Sequence, residues 1–208
     1  MKRTLLLASL LFLGCGKSIF SPNWIEEKSP EVFQARFETS KGNFEIEINR
    51  DLSPDAADRF YQQLKHKFYD KTLFYRVVPN FVVQFGPLDS TKTVNTWDKF
   101  KVKDEIVKGS NVKGAISYAR SGPDSRGSQL FINLKDNKRL DTVYYNKVKG
   151  FPPFGKVTQG MQVVEQLYAG YSNETMKVFD SLATKRKEFM TLFPKLDSIK
   201  KAYIIKKD

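Results

Sequence analysis

The most constraining feature of this chain is a succession of short segments in which apolar and polar residues alternate between turn-forming residues. In residues 43–48, for example, Phe44, Ile46 and Ile48 are separated by polar side chains. A period of two places alternate side chains on the same face of a β-strand. Many short strands with turns between them predict a mainly β domain. The predicted strands are residues 36–39, 43–48, 73–78, 81–84, 114–119, 129–134, 154–157 and 202–206.

Length and composition indicate a single folded domain. The chain has 208 residues, of which 40% are hydrophobic, so it can bury one substantial core but not two large ones. Its 17 Phe and 9 Tyr residues are of types that favour strands, and they predict a barrel or sandwich rather than a helical bundle. We assign this domain to residues 35–208, with residues 202–206 as the closing strand.

Two helices are predicted within the domain. Residues 53–69 begin with Ser53 as the N-cap, Pro54 at the first helical position and Asp55 against the positive end of the helix dipole. Residues 160–168 have the apolar spacing of a second, shorter helix. We expect both helices to cap the sheet.

A further helical excursion is predicted at residues 171–192. Met176, Phe179 and Leu182 recur at steps of three residues beside a basic stretch. Because stripes of this kind usually face a core, the pattern favours a surface helix packed on the sheet. A helix that binds a partner protein is the alternative.

The N-terminus has the pattern of an export signal. Lys2 and Arg3 precede an apolar run over residues 5–13, which is well short of the roughly 20 residues needed to span a bilayer. The run ends at Gly14 and Cys15, the only cysteine, in an arrangement similar to a bacterial lipoprotein cleavage site. We predict a signal peptide at residues 1–14, lipidation of Cys15 and a tether at residues 15–34. An ordinary signal peptide that leaves a free thiol is the alternative.

The chain is strongly basic, with a formal net charge of +12. Such a charge favours encounter with anionic lipid, polyanions or acidic polypeptides, but it does not specify a fold. A surface lipoprotein that binds polyanions is therefore one interpretation. Nucleic acid is not an expected partner of an exported lipoprotein.

Two strand-like segments carry the candidate functional residues. Residues 74–84 contain Arg76, Phe81 and Gln84, and residues 128–132 contain Gln129 and Phe131. In each segment, long polar side chains stand among aromatic and β-branched ones. An arginine, two phenylalanines and two glutamines could line a single groove.

The spacing and residue types of these segments resemble those of the cyclophilins, which are peptidyl-prolyl cis-trans isomerases. The resemblance covers about residues 36–170 and implies a closed eight-stranded antiparallel β-barrel capped by two helices. It also implies that Arg76 is the catalytic residue and that Asn80 stands in a turn where the family has glycine. The substrate-binding residues that it implies are Phe81, Val82, Gln84, Ala119, Arg120, Gln129, Phe131, Leu140 and Phe151.

The chain departs from the family pattern at several positions. Arg120 stands where asparagine is frequent, and its charge favours acidic substrates. Arg139 stands where animal cyclophilins have a tryptophan important for cyclosporin, so we expect weak sensitivity to that drug. Residues 142–149 form an insertion, and Phe151 falls where the family often has a groove histidine.

Few residues are available for other chemistry. His66 is the only histidine, and its position between two lysines predicts a solvent-exposed side chain. Cys15, the only cysteine, is assigned to lipidation. A zinc site or a Ser-His-Asp triad would need more such residues. We therefore predict no metal and no cofactor.

Together these features predict a monomeric, lipid-anchored isomerase of the bacterial cell envelope, facing the periplasm or held at the outer membrane. Its partners would be proline-containing polypeptides during the folding of exported proteins. The alternative keeps the same fold without catalysis, as a peptide-binding module or chaperone, because a fold does not by itself specify an activity.

Overall fold

The structure, a computed structural model, describes residues 20–89, 91–182 and 184–207. Strands dominate this part of the chain. They are β1 (Val32–Thr39), β2 (Asn43–Asn49), β3 (Leu73–Val77), β4 (Val82–Gly86), β5 (Ala115–Tyr118), β6 (Leu130–Asn133), β7 (Tyr144–Tyr145), β8 (Val148–Lys149), β9 (Pro153–Gln159) and β10 (Ile199–Lys207). The α-helices are α1 (Pro54–Lys65), α2 (Lys92–Trp97), α3 (Met161–Glu165), α4 (Phe179–Leu182) and α5 (Arg186–Leu192). Short 3₁₀ helices lie at Pro22–Glu26, Arg50–Leu52, Lys138–Asp141 and Glu174–Lys177.

Eight of the strands form one antiparallel sheet in the order β10-β1-β2-β9-β5-β6-β4-β3. The two remaining strands, β7 and β8, pair with each other as a small hairpin inside the predicted insertion. The mainly β prediction is confirmed. The short helix α2 and the β7–β8 hairpin were not predicted, because neither has a long enough repeat to give a periodic signal.

The prediction of a closed barrel was wrong. The two edge strands of the sheet meet at one isolated bridge, Leu73 with Ser198, rather than along a continuous ladder. Beyond that bridge, the side chain of Tyr75 packs against Phe179, with ring centroids 4.7 Å apart. The sheet therefore stays open at this edge.

Aromatic side chains fill the space between the sheet and α1. Phe60 of α1 is fully buried, and its ring lies 6.2 Å from that of Phe37 and 5.3 Å from that of Phe154. Ala57 and Leu64 share this buried face of the helix. Burial of a large aromatic side chain contributes about 1.5–3 kcal/mol relative to exposure. The helix is therefore held mainly by its apolar face.

α1 begins as predicted, with Ser53 as the N-cap, Pro54 as the first residue and Asp55 in the first turn, but another residue caps it. Ser53 makes no side-chain capping hydrogen bond; its hydroxyl donates instead to Glu105 Oε2. The other oxygen of Glu105 accepts from the Asp55 backbone N–H at 3.0 Å. A carboxylate that is distant in sequence thus supplies the acceptor and the negative charge that the helix N-terminus favours.

Within the predicted tether, the sequence also allowed Trp24 and Ile25 to pack back onto the domain. Trp24 and Ile25 lie against the main core, and the Trp24 ring stacks on His66 with centroids 3.6 Å apart. His66 is therefore not a solvated residue; burial, the largest influence, lowers its pKa. β1 begins at Val32, within the predicted tether. Cys15 and the predicted signal peptide lie outside the described residues.

Asp58 joins this N-terminal segment to α1. Its carboxylate accepts from the Ser29 backbone N–H at 2.8 Å and from Arg50 Nε at 2.9 Å, and it lies 3.1 Å from Lys28 Nζ. Burial by itself would raise the pKa of Asp58, but these donors outweigh burial and hold the pKa below its usual range. The carboxylate is thus more stable ionised in the folded chain than in the unfolded chain.

We expect Asp58→Asn to lower the free energy of unfolding at pH 7 by about 2–3 kcal/mol, because charge-assisted hydrogen bonds are lost in a buried setting. A depressed carboxyl pKa stabilises the fold above the unfolded pKa, near 4, and that stabilisation disappears as pH falls further. The difference between wild type and variant should therefore shrink below about pH 4. Urea unfolding at a series of pH values measures it. Glu47→Gln, on the exposed face of β2, is the control, and an equal loss at all pH values would contradict this account.

The segment before β10 contains three short helices instead of one long one. The 3₁₀ helix at Glu174–Lys177, α4 and α5 follow each other, and Ser172 before them has a positive φ of 45°. Phe189 of α5 is fully buried together with Leu73 and Tyr75 of β3. Among the helices of the described residues, none is long and apolar enough to cross a membrane.

Candidate active site

The sheet brings the two predicted segments side by side. Arg76 of β3 lies opposite Gln84 of β4, and Gln84 in turn lies opposite Phe131 of β6. Around them is a groove of about 970 Å³. All ten residues predicted from the sequence as catalytic or substrate-binding line this groove: Arg76, Phe81, Val82, Gln84, Ala119, Arg120, Gln129, Phe131, Leu140 and Phe151.

The guanidinium group of Arg76 is held on three sides. Nη1 donates to Gln84 Oε1 at 2.7 Å, and Nε donates to Asn173 Oδ1 at 2.8 Å. The guanidinium carbon lies 5.7 Å from the centre of the Phe81 ring. Burial lowers the pKa of Arg76 from its ordinary value, although a guanidinium stays protonated in proteins. The result is a fixed positive charge beside an apolar surface.

The turn between β3 and β4 fixes the position of Phe81. Asn80 has φ 57°, in the left-handed region that asparagine tolerates better than most residues. The turn is closed by hydrogen bonds from Val78 N to Val82 O and from Phe81 N to Val78 O. Asparagine therefore replaces the family's glycine at this position while the turn keeps a positive φ.

The floor of the groove is apolar. Val82, Phe131 and Leu140 form a separate buried cluster, and Phe81 and Phe151 pack against it. The Phe131 and Phe151 rings meet edge to face, with centroids 5.8 Å apart. A small apolar ring, such as that of a proline, would lose water contact on this surface, which is favourable.

Gln129 is not among the hydrogen-bond partners of Arg76. Its Nε2 donates to the Pro87 backbone oxygen at 3.0 Å, and its Oε1 is buried without a hydrogen-bond partner among the described residues. A Cβ at Gly86 would collide with that oxygen and would lie 2.8 Å from the Ser128 backbone oxygen. The glycine therefore lets the Gln129 side chain lie across β4, and Gln84 alone of the two glutamines orients the arginine.

The predicted backbone contacts at Ala119 and Arg120 are only partly available to a peptide. The Ala119 N–H donates to the Gln129 backbone oxygen at 2.9 Å. A substrate strand alongside would thus meet the Ala119 carbonyl and the Arg120 backbone rather than the Ala119 N–H. Both residues remain at the groove wall.

The Arg120 side chain organises the end of the groove. Its guanidinium carbon lies 4.0 Å from the centre of the Phe151 ring, Nη2 donates to the Val148 backbone oxygen at 2.8 Å, and Nη1 donates to the Gly150 oxygen. The residue is buried, with 8% of its surface exposed. The sequence assigned this charge to substrate choice, but carbonyl groups of the β7–β8 hairpin already surround it.

We expect Arg120→Ala to release the β7–β8 hairpin, because the cation–π contact and two hydrogen bonds to its end are removed together. Hydrogen exchange of the Gly150 amide, which donates to Val143 O at 2.8 Å, should accelerate about tenfold or more, as a loss of roughly 1.4 kcal/mol or more implies. Arg120→Lys should restore protection only in part, since an ammonium cannot form the planar stack. Unchanged hydrogen-exchange protection of the Gly150 amide in Arg120→Ala would show that the hairpin is stable without the Arg120 side chain.

Several groove residues could not be found from the sequence. Asn173, Met176 and Phe179 reach the Arg76 side of the groove, and Tyr145 reaches the opposite end. The pattern at residues 171–192 indicated a packed helix but not which surface it covers. Arg139, which occupies the position of the family tryptophan, lies with its guanidinium carbon 5.5 Å from the centre of the Phe81 ring.

Other kinds of site lack the required residues. Within residues 20–89, 91–182 and 184–207, there is no group of three or more His, Cys, Asp or Glu residues placed to hold a metal ion. The polar groups that line the groove include the guanidinium groups of Arg76, Arg120 and Arg139 and the amides of Gln84 and Gln129.

Comparisons with known proteins agree with this arrangement. The family model described as cyclophilin type peptidyl-prolyl cis-trans isomerase/CLD matches residues 34–185. The chain belongs to the cyclophilin-type peptidyl-prolyl cis-trans isomerases. An isomerase from Acinetobacter baylyi is 38% identical to this cyclophilin over 131 residues, covering 62% of this chain and 68% of that protein. Peptidyl-prolyl cis-trans isomerase A of Dickeya dadantii is 36% identical over 150 residues, covering 71% and 76%.

Solved structures support the fold of this cyclophilin. A Cryptosporidium parvum cyclophilin-type isomerase has a TM-score of 0.60 at 19% identity, covering 85% of this chain and 99% of that one. A second structure of the Cryptosporidium protein, obtained in the presence of the dipeptide Ala-Pro, has a TM-score of 0.59 at 19% identity, covering 83% and 99%. The prediction of a cyclophilin-type isomerase is confirmed.

Proposed function

We propose that this cyclophilin isomerises X-Pro bonds in exported polypeptides, with Arg76 as the catalytic residue. The observation that carries this proposal is the position of the Arg76 guanidinium beside the apolar floor formed by Val82, Phe131 and Leu140. A proline ring seated on that floor would have its nitrogen within reach of the guanidinium.

The chemistry requires no nucleophile. Rotation about an X-Pro bond crosses a barrier of roughly 18–20 kcal/mol because amide resonance is lost, and it takes tens to hundreds of seconds without a catalyst. In the twisted state the prolyl nitrogen becomes pyramidal and can accept a hydrogen bond. A donor aimed at that nitrogen stabilises the twisted state more than the planar ones, as catalysis by differential binding requires.

The groups of the groove divide this work. Nε and Nη1 of Arg76 are held by Asn173 and Gln84, which leaves Nη2 for the prolyl nitrogen. Gln84 uses Oε1 to accept from Arg76, so its Nε2 is the group that can donate to a peptide carbonyl. Shortening the exchange time from tens of seconds to milliseconds requires that the activation free energy fall by about 5–7 kcal/mol.

We place the enzyme at the bacterial cell envelope, as a monomer anchored through lipid on Cys15. The support is the sequence of the N-terminus: a basic start, a short apolar run and the only cysteine. Two or more acyl chains on one residue make membrane attachment stable. Its substrates there would be proline-containing polypeptides that emerge unfolded, and nucleic acid is not among its partners.

The activity is tested by two-dimensional exchange NMR on an Ala-Pro-containing peptide with catalytic amounts of the purified protein. We expect cis and trans resonances to exchange within milliseconds to seconds, where the free peptide shows no exchange on that scale. Binding of the peptide without exchange would instead establish the peptide-binding alternative.

The anchor is tested with the full chain and Cys15→Ser expressed in a bacterium fed an alkynyl fatty acid. The wild-type protein should carry the label and partition into the detergent phase, and the variant should do neither. An unlabelled wild-type protein in the aqueous phase would show that the N-terminus is not lipidated. Isomerase activity of the purified protein is independent of this result.

A further inference from the structure

The Arg76 side of the groove is completed by a segment that lies far from Arg76 in sequence. We call residues 172–182, between α3 and α5, the C-terminal wall. Asn173, Met176 and Phe179 of this wall line the groove. Asn173 makes the hydrogen bond to Arg76, across 97 residues of sequence.

Contacts on both sides of Asn173 anchor the wall to the domain. Before it, the Tyr171 ring lies 5.1 Å from that of Phe193, and the Tyr171 backbone oxygen accepts from Glu174 N at 2.8 Å. After it, Phe179 packs on Tyr75, the residue preceding Arg76. The Asn173 carboxamide is therefore supported by packed neighbours rather than carried by a free loop.

The acceptor that Asn173 offers is neutral. An amide oxygen orients a guanidinium through one hydrogen bond, whereas a carboxylate at the same place would also oppose its positive charge. Gln84 supplies the second acceptor, and it is neutral as well. Together they aim the guanidinium while leaving its full charge available to a substrate.

We infer that Asn173 is a positioning residue for Arg76: its side-chain oxygen holds Nε so that Nη2 is presented to the prolyl nitrogen. This inference rests on the proposed catalytic role of Arg76. The C-terminal wall then contributes to isomerisation through Asn173, in addition to packing against β3.

The test compares Asn173→Ala and Asn173→Asp with wild type in the exchange assay and by ¹⁵N-arginine NMR. The Arg76 Nε–Hε resonance is assigned by its loss in Arg76→Ala. In Asn173→Ala we expect that resonance to shift and to exchange faster with water, and kcat to fall about 5- to 20-fold with KM within twofold, as loss of one charged hydrogen bond implies. Asn173→Asp should restore the protected resonance but not the activity, because the new charge opposes that of Arg76.

The matched control is Asn49→Ala. This variant removes an asparagine oxygen that accepts from Asp51 N at 3.0 Å and does not line the groove, and it should leave both readouts unchanged. Wild-type kcat and resonance in Asn173→Ala would overturn the inference, and so would an unprotected Arg76 Nε–Hε resonance in Asn173→Asp, which keeps the acceptor oxygen. If Arg76→Ala itself retains full activity, the proposed function fails instead, so the two failures can be told apart.

Discussion

Replacement of Arg76 by alanine should lower kcat/KM for an Ala-Pro peptide by about 10²–10³, the range found when one preorganised donor to a transition state is removed. In the proposed mechanism the guanidinium stabilises the lone pair that develops on the prolyl nitrogen only in the twisted state, so kcat should account for most of the loss. Exchange NMR at several peptide concentrations separates kcat from KM.

Two further variants make this result specific. Arg76→Lys keeps the charge but loses the planar fork that engages Gln84 and Asn173 together, and it should recover only a small part of the activity. Arg36→Ala removes another strand arginine, which pairs with Glu45 at 2.6 Å and does not line the groove, and should retain activity. Thermal unfolding of Arg76→Ala should match wild type closely. Full activity in a folded Arg76→Ala protein would show that Arg76 is not the catalytic residue.

Replacement of Phe131 by alanine should weaken peptide binding and stability together. The side chain is 4% exposed and lies in the middle of the groove floor. Removing a buried phenylalanine typically lowers the free energy of unfolding by about 3–5 kcal/mol. Loss of the surface that receives the proline ring should also raise KM by about 10- to 100-fold, equivalent to 1.4–2.8 kcal/mol of apolar contact.

Phe85→Ala separates the two effects. Phe85 is fully buried in the main core rather than in the groove floor, so its loss should lower stability similarly while leaving KM near the wild-type value at a temperature where the variant is folded. Phe131→Leu, which refills most of the volume, should lie between wild type and Phe131→Ala. An unchanged KM in folded Phe131→Ala would place the proline ring elsewhere.

Much of the sheet could be predicted because its signal is local. The strand predicted at residues 73–78 appears as β3, Leu73–Val77, and that predicted at residues 129–134 appears as β6, Leu130–Asn133. Alternation within a few residues is enough to define such strands. Closure could not be predicted in the same way, because it depends on pairing between β3 and β10, which are far apart in sequence, and here the two edges meet at one bridge.

For the site as well, local residue patterns were predictable and long-range contacts were not. Arg76, Phe81 and Gln84 stand in one short segment, and Phe131 lies on a neighbouring strand, so residue types and spacing were sufficient to propose a common groove. Side-chain partners were not predictable. The sequence predicted a backbone contact to the substrate at Arg120, but it did not predict that its guanidinium stacks on Phe151. It also grouped Gln129 with Gln84, whereas Gln129 donates to the Pro87 backbone oxygen.

The amino-acid sequence by itself determined that this protein is a β-rich cyclophilin with an arginine beside an aromatic groove. Those properties depend on residues close together in the chain, whose types and alternation are visible without a structure. Only the tertiary structure decided that Asn173 holds Arg76, that Glu105 caps α1 and that the sheet remains open. These contacts join segments far apart in sequence, and loop paths that no local pattern encodes bring them together.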